Sequence, residues 1–318
     1  MMKLKYSIEE SAAVLKQGGL VAFPTETVYG LGADATQETA IRKVFAAKGR
    51  PIDHPLIVHV ADFAALFQWA VELSPMALAL AKVFWPGPLT LIVKKAPFVS
   101  DLITGGQDTV GIRCPNHSVA LKLIKQLGNG IVGPSANRFG RISPTTADAV
   151  YEELGEKVDI ILAGGRCQVG VESTIVDTTK EHPRILRPGA ISYAEIEKVL
   201  GTKVLMKERG STAERVSGAF ASHYAPLTPA KLIFSREKWL AYLTADNLPQ
   251  ALLTREKIML SPDICVIQMP LDARAYAHQL YATLRFLDQK NMRQIVIEAV
   301  PDESEWDAVR DRLSKICS

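Results

Sequence analysis

Residues 20–32 read Leu20-Val21-Ala22-Phe23-Pro24-Thr25-Glu26-Thr27-Val28-Tyr29-Gly30-Leu31-Gly32. Leu20 to Phe23 is a short apolar run stopped by proline, the mark of a buried strand that empties into a loop. Just upstream, Ser7-Ile8-Glu9-Glu10 has capping-box spacing: the hydroxyl can satisfy an orphan amide while Glu10 reaches back. The helix it opens runs through Val14 and Leu15 and stops at Gly18-Gly19. Outward from this unit the same scale repeats. Apolar runs fall at Leu56 to Val60, Leu89 to Val93, Thr109 to Ile112, Ile131 to Val132, Ile160 to Ala163 and Thr174 to Val176. Helical patterns lie near Glu38 to Ala47, Pro75 to Val83, Ser118 to Leu127 and Thr146 to Leu154. Ser192-Tyr193-Ala194-Glu195 is a second capping box, opening a helix to Leu200. The alternation predicts an α/β fold with an appreciable mixed sheet.

At 318 residues the chain exceeds what one hydrophobic core usually spans, so two domains are expected. The pattern lapses from Lys203 to Pro229, where glycines, serines and two late prolines mark a linker without its own core. It resumes with strand Leu232 to Phe234, a helix near Glu237 to Leu243, strands Ala251 to Leu253 and Ile264 to Gln268, and a long helix from about Ala273 to Lys290. Strand Ile295 to Glu298 and a helix from Glu303 close it. The expected organisation is a first domain over 1–205, a linker over 206–229, and a smaller Rossmann-like α/β domain over 230–318.

Apolar residues at 47% and charged residues at 22% describe an ordinary globular chain, and a formal charge of +3 does not by itself argue for nucleic-acid binding. Cys114, Cys167, Cys265 and Cys317 form no CxxC pair and read as reduced thiols. His54, His59, His117, His182, His223 and His278 show no ligand spacing, so no dedicated metal site is expected. His59 reads as a satisfied core or edge histidine. Met1 to Tyr6 lacks a secretory apolar stretch. The run Ala77 to Phe84 contains Lys82 and meets Trp85-Pro86, so no membrane span is expected. A reducing, cytoplasmic location follows as the expectation.

The small polar and cationic residues cluster at strand ends and in strand-to-helix loops, where open α/β sheets place ligands. The loop from Pro24 to Gly32 can bring amides and hydroxyls close to a ligand, or can be a plain structural turn. In Lys48-Gly49-Arg50-Pro51, two cations at i and i+2 leave a helix and enter an extended segment. Alternation would point both one way, as a phosphate clamp; the alternative is two charges complementing a helix dipole. Arg113, in Thr109-Val110-Gly111-Ile112-Arg113, needs an anionic partner if buried: a substrate carboxylate, or an internal acid. Gly133-Pro134-Ser135-Ala136-Asn137 resembles a G-x-S-x-G elbow but has Asn137 in place of the last glycine, so phosphate or ribose binding suits it better than a nucleophilic serine. Ser143-Pro144-Thr145-Thr146 adds donors at a helix start, and Arg187 before Pro188 is an extended cation near a turn.

Taken together, Phe23 to Leu31, Lys48-Gly49-Arg50-Pro51, Trp85-Pro86-Gly87-Pro88-Leu89-Thr90, Val110 to Arg113, Gly133 to Asn137 and Glu172-Ser173-Thr174 resemble the YrdC-type threonylcarbamoyladenylate synthase family in its long two-domain form. His223-Tyr224-Ala225-Pro226 resembles the linker signature of that form. The resemblance implies a twisted, mostly parallel sheet around a positively charged cleft. It implies an enzyme that joins L-threonine, bicarbonate and ATP, with magnesium, into threonylcarbamoyl-adenylate and pyrophosphate. The adenylate would serve modification of tRNA beside the anticodon, with tRNA or a threonylcarbamoyl-transferase complex downstream. Lys48 and Arg50 would be catalytic cations on the phosphates. His54, Thr109, Ser135, Asn137, Thr145, Arg187 and Tyr224 would complete the ATP site, with Tyr224 folding back over the nucleotide. His54 stands where the family more usually has asparagine, and can donate a comparable hydrogen bond. Thr27, His59, Arg113 and Ser173 would hold threonine. The rival readings are an RNA-binding module using the same cations and a carbamoyl-transfer domain dependent on carbamoyl phosphate.

Overall fold

A computed structural model of the chain describes residues 4–5, 7–206, 215–218, 224–235, 237–238, 241, 250–290 and 292–318. The chain forms two compact units, Met1–Phe139 with Ser143–Ala219, and Gly140–Ile142 with Phe220–Ser318.

In the first unit the strands are β1 (Leu4–Lys5), β2 (Val21–Phe23), β3 (Gly30–Asp34), β4 (Ile57–His59), β5 (Leu89–Lys94), β6 (Thr109–Arg113), β7 (Ile131–Val132), β8 (Ile160–Leu162), β9 (Thr174–Asp177), β10 (Arg184–Arg187) and β11 (Leu205–Met206). Among the described residues they form one sheet, ordered β1-β8-β2-β3-β7-β4-β6-β5-β9-β10-β11. The sheet mixes parallel pairs such as β8–β2, β4–β6 and β5–β9 with antiparallel ones such as β2–β3, β7–β4 and β5–β6. Both faces are covered, which is why Leu20 to Phe23 is apolar without a break. Val21 and Phe23 pack with Ala12 and Leu15 of the helix Ile8–Lys16 and with Leu123 and Leu127 of the helix Ser118–Leu127. Ala22 faces the opposite core, with Ile41 and Val44 of the helix Glu38–Lys48. The Ser7 hydroxyl accepts from the Glu10 amide and donates to the Glu9 carboxylate, and Ser192 with Glu195 makes a complete capping box.

One expectation is corrected. The loop after Phe23 does not continue to Gly32: Gly30–Asp34 is a strand, paired with β2 through Phe23↔Gly30, Ala22↔Leu31 and Val21↔Gly32. Its glycines are required by close strand packing. A Cβ at Gly30 would lie 2.9 Å from the Phe23 ring, and one at Gly32 would lie 2.8 Å from the Val21 carbonyl oxygen. The loop proper is the short turn over residues 24–29.

The second unit carries β12 (Ala230–Ile233), β13 (Gln250–Thr254), β14 (Ile264–Gln268) and β15 (Gln294–Glu298), ordered β12-β15-β13-β14, every pair parallel. The helix Ala273–Asp288 falls on the long helix expected from about Ala273, and Asp307–Ile316 on the closing helix expected from Glu303. Most of the helix expected near Glu237 to Leu243 lies outside the described residues, as does His223. The expected linker divides between the units. Residues 215–218 belong to the first, and Val216 is buried there with Ile57, Ile92, Ile175 and Leu186. At that point the segment is part of a core and not a bare tether. No helix among the described residues is long and apolar enough to cross a membrane.

Candidate active site

The turn over residues 24–29 is the hub of the first unit's polar cluster. Thr25 Oγ1 donates to the Val28 carbonyl at 2.6 Å and accepts the Thr27 amide, which closes the turn on itself. Neighbouring loops are lashed to it by main-chain bonds. The Ala136 amide donates to Tyr29, Leu31 donates to Pro134, Tyr29 donates to Pro144, and Gly170 donates to Thr27. Segments 133–137, 143–146 and 170–173, far apart in sequence, are therefore fixed around one turn.

Four cations are directed into this region although each is almost wholly buried: Lys48 is 3% exposed, Arg50 7%, Arg113 4% and Arg187 3%. Lys48 ends its helix, and Nζ donates to the carbonyls of Ser135 and, at 2.6 Å, Asn137. Burial and then the charge of Arg50 push its pKa well below the ordinary lysine range. Arg50 reaches the cluster by a different route from the extended alternation read in the sequence. Gly49 adopts left-handed φ 63° and caps the helix, so the chain turns between the two cations. Arg50 Nη2 donates to the Pro55 carbonyl at 2.9 Å and to Ser217 Oγ at 3.5 Å, and the guanidinium lies 6.0 Å from the Phe139 ring centre. His54 packs on the same ring with centroids 5.3 Å apart, its pKa lowered by burial and then by Arg50. Arg187 donates to the Ser173 carbonyl and hydroxyl and, at 2.9 Å, to the Ser217 carbonyl. Ser217 thus touches both Arg50 and Arg187. Thr109 lines a slot with Ile57, Ile92, Gly111 and Ile175, which Val216 and Ser217 border. Thr145 is buried, and its carbonyl accepts the Cys167 amide.

Arg113 sits at the end of β6, in register with His59 of β4. Nη1 donates to Thr27 Oγ1 at 2.9 Å and Nε to the Gly87 carbonyl at 3.3 Å, while Nη2 lies 2.7 Å from Glu26 Oε1. The internal acid that the sequence left open is therefore present. The Ser173 hydroxyl pairs with Thr90 Oγ1 at 2.8 Å, so Ser173 connects to Arg187 on one side and to β5 on the other. Ser143 donates to the buried carboxylate of Glu172, whose charge acts on Lys48.

His59 is wholly enclosed, edge-on to Phe23 with ring centroids 5.5 Å apart. Burial first, and the Arg113 charge second, depress its pKa to about 3, so the ring is neutral at physiological pH. An unfolded histidine titrates near ~6.5, so between those values the unfolded chain binds more protons. The stability contribution is complete above ~6.5 and is lost as pH falls towards 3. Denaturant midpoints should drop on acidification from pH 7 to pH 5, by no more than ~1.4 kcal/mol per pH unit for this proton. His59→Gln should flatten that dependence; equal slopes in both proteins would remove His59 as its source.

The structure gathers Thr27, Lys48, Arg50, His54, His59, Thr109, Arg113, Ser135, Asn137, Thr145, Ser173 and Arg187 in the first unit. Tyr224 belongs to the second, where its ring stacks 5.8 Å from Tyr281 and Arg312 lies 5.1 Å above it. The sequence reading did not single out Glu26, Glu172, Phe139 or Ser217. For the two glutamates, a charged residue between small hydroxyl residues in a strand-end loop was the available signal.

The first unit is an α/β domain whose loops bring several buried cations to one turn of hydroxyl residues. Residues 13–189 match the Sua5/YciO/YrdC family model, described as telomere recombination, and residues 191–318 match the model described as threonylcarbamoyl-AMP synthase, C-terminal domain. The chain belongs to that family, in its long two-domain form. It is 38% identical to the threonylcarbamoyl-AMP synthase of Pyrococcus abyssi (strain GE5 / Orsay) over 98% of this chain and 94% of that one. It is likewise 38% identical to the threonylcarbamoyl-AMP synthase of Bacillus subtilis (strain 168), over 97% and 92%. Among solved structures it resembles P. abyssi Sua5 complexed with L-threonine, with TM-score 0.90, 37% identity and coverage of 98% and 94%. The E. coli YciO structure, at 22% identity and TM-score 0.54 over 62% of this chain and all of that one, shares the fold.

Proposed function

We propose that this chain is a threonylcarbamoyl-AMP synthase that consumes L-threonine, bicarbonate and ATP and yields threonylcarbamoyl-adenylate and pyrophosphate for tRNA modification in the cytoplasm. The observation that carries this is the segregation of buried charge. Around Thr27 and His59, Arg113 is matched by Glu26, a balance suited to a zwitterion. Around Ser135, Asn137 and Ser217, the guanidiniums of Arg50 and Arg187, with Lys48 beside them under the charge of Glu172, supply donors suited to a polyphosphate, whose own charge would favour protonated Lys48. Threonine's nitrogen adds to carbon dioxide formed from bicarbonate, and the resulting N-carboxylate attacks the α-phosphorus of ATP. Pyrophosphate leaves with the electron pair of the cleaved P–O bond. No covalent enzyme nucleophile is required; alignment and fixed cations supply the catalysis.

Among the described residues no three His, Cys, Asp or Glu side chains converge to hold a metal ion. The donor set on hand is cationic, which fits magnesium arriving on the nucleotide, where it would neutralise phosphate charge. The RNA-binding alternative is disfavoured because cations this deeply buried do not reach the phosphates of a folded RNA. The test is product mass spectrometry after incubation with labelled bicarbonate, threonine and ATP. A labelled adenylate is expected, with pyrophosphate release only when all three are present. Release without threonine, or dependence on carbamoyl phosphate, would reject the reading.

A further inference from the structure

The geometry points to Glu26 as the group that receives threonine's ammonium and then the single proton that N-carboxylation liberates; this inference rests on the synthase reading above. Glu26 is 4% exposed. Oε1 lies 2.7 Å from Arg113 Nη2 as an ion pair, yet both carboxylate oxygens and Nη2 are buried with no hydrogen-bond partner among the described residues. Leaving a buried polar acceptor without a donor costs ~1–3 kcal/mol, and more when it is charged. A fold that tolerates this at a binding turn reserves the position for an incoming donor. Arg113's other nitrogens are occupied by Thr27 and Gly87. The pair therefore offers a cation with one nitrogen, Nη2, making no hydrogen bond and an anion with oxygens to spare. An α-amino acid presents the complementary couple, a carboxylate and an ammonium on adjacent atoms.

The surrounding groups leave Glu26 as the proton acceptor. His59, held neutral by burial, carries no charge to repel an ammonium and no negative charge to attract one. Cys167, which feels the charge of Glu26, is pushed up to about 12 by burial and remains a thiol. Glu172, the other buried acid of the cluster, already accepts from Ser143.

The step balances with Glu26 included. The ammonium gives one proton to bicarbonate, which breaks down to carbon dioxide and water. The freed nitrogen lone pair forms the new N–C bond while a C–O π pair moves onto oxygen. The proton still to be lost from that nitrogen passes to the Glu26 carboxylate. One ammonium, one bicarbonate and one carboxylate become one N-carboxylate, one water and one carboxylic acid, with the total charge unchanged. Glu26 then returns its proton to solvent.

The experiment compares L-threonine with 2,3-dihydroxybutanoate, in which a hydroxyl replaces the amine, by calorimetry on the full chain and on Glu26→Gln. The wild type should prefer threonine, and the variant should lose that preference by ~10-fold or more while binding the hydroxy acid as before, which also shows that it is folded. Turnover at saturating threonine should fall ~10²-fold, the range of a general base. Glu26→Asp, with the charge kept, should retain part of both. If Glu26→Gln does not fold, the same preference is read on Glu26→Asp, where an undiminished value overturns the assignment. A preserved preference in Glu26→Gln overturns the ammonium contact, and lost preference with undiminished turnover overturns the proton transfer. A wild-type chain that binds no threonine would instead defeat the synthase reading itself.

Discussion

Arg50→Ala should lower the rate of pyrophosphate release by ~10²-fold or more at saturating threonine and bicarbonate. Arg50 is nearly enclosed, its guanidinium positioned by the Pro55 carbonyl and the Phe139 ring, so it holds its place before a ligand arrives. A fixed cation in a region of low dielectric stabilises charge that grows on the leaving pyrophosphate without reorganising at the moment of reaction. The loss should therefore appear mainly in kcat, with a smaller change in the apparent affinity for ATP. Lys48→Ala should match it in magnitude for a mixed reason. Lys48 also ties the carbonyls of Ser135 and Asn137, so its removal loosens the loop that carries them. A difference between the variants is expected in stability, with Lys48→Ala the more heavily affected. Wild-type rates in purified, folded Arg50→Ala would remove the clamp from the mechanism.

The sequence disclosed those features of the fold and site that depend on local pattern. Leu20 to Phe23 reads as a strand because burial on both faces leaves no polar position within it. Ser192 and Glu195 read as a cap because their interaction spans one helical turn. Gly30–Asp34 escaped because its two glycines resemble ligand-loop glycines, and their reason, the Phe23 ring packed against them, is a cross-strand contact. The cluster of site loops was legible since each carries its own short motif. The pairings inside the cluster were not. That Lys48 would meet the carbonyls of Ser135 and Asn137, that Arg113 would meet Glu26, and that Ser217 would bridge Arg50 and Arg187 are consequences of tertiary folding. No periodicity encodes them. Val216 shows the same limit from the apolar side, a single hydrophobe in a polar stretch that a sheet face claims.

Arg113→Ala should weaken threonine binding by ~10²-fold or more, the consequence of losing a charge-assisted contact to a carboxylate in a desolvated pocket. The same substitution strips Glu26 of its ion-pair partner at 2.7 Å. An uncompensated buried carboxylate costs ~3–5 kcal/mol, so the variant should also be markedly less stable. These two effects must be separated, because a purely structural ion pair would produce both through distortion of the pocket. Pairing Arg113→Met with Glu26→Gln separates them. The double variant removes both charges together, and its stability should recover most of the way towards wild type. If Arg113 served only to satisfy Glu26, affinity for 2,3-dihydroxybutanoate, which carries the carboxylate but no ammonium for Glu26 to receive, would recover along with stability. If Arg113 grips the substrate carboxylate, affinity should stay low in a protein that folds and still binds nucleotide normally. Calorimetry on the single and double variants, read beside their denaturant midpoints, decides the matter, and unchanged threonine affinity in folded Arg113→Ala would end the assignment at once.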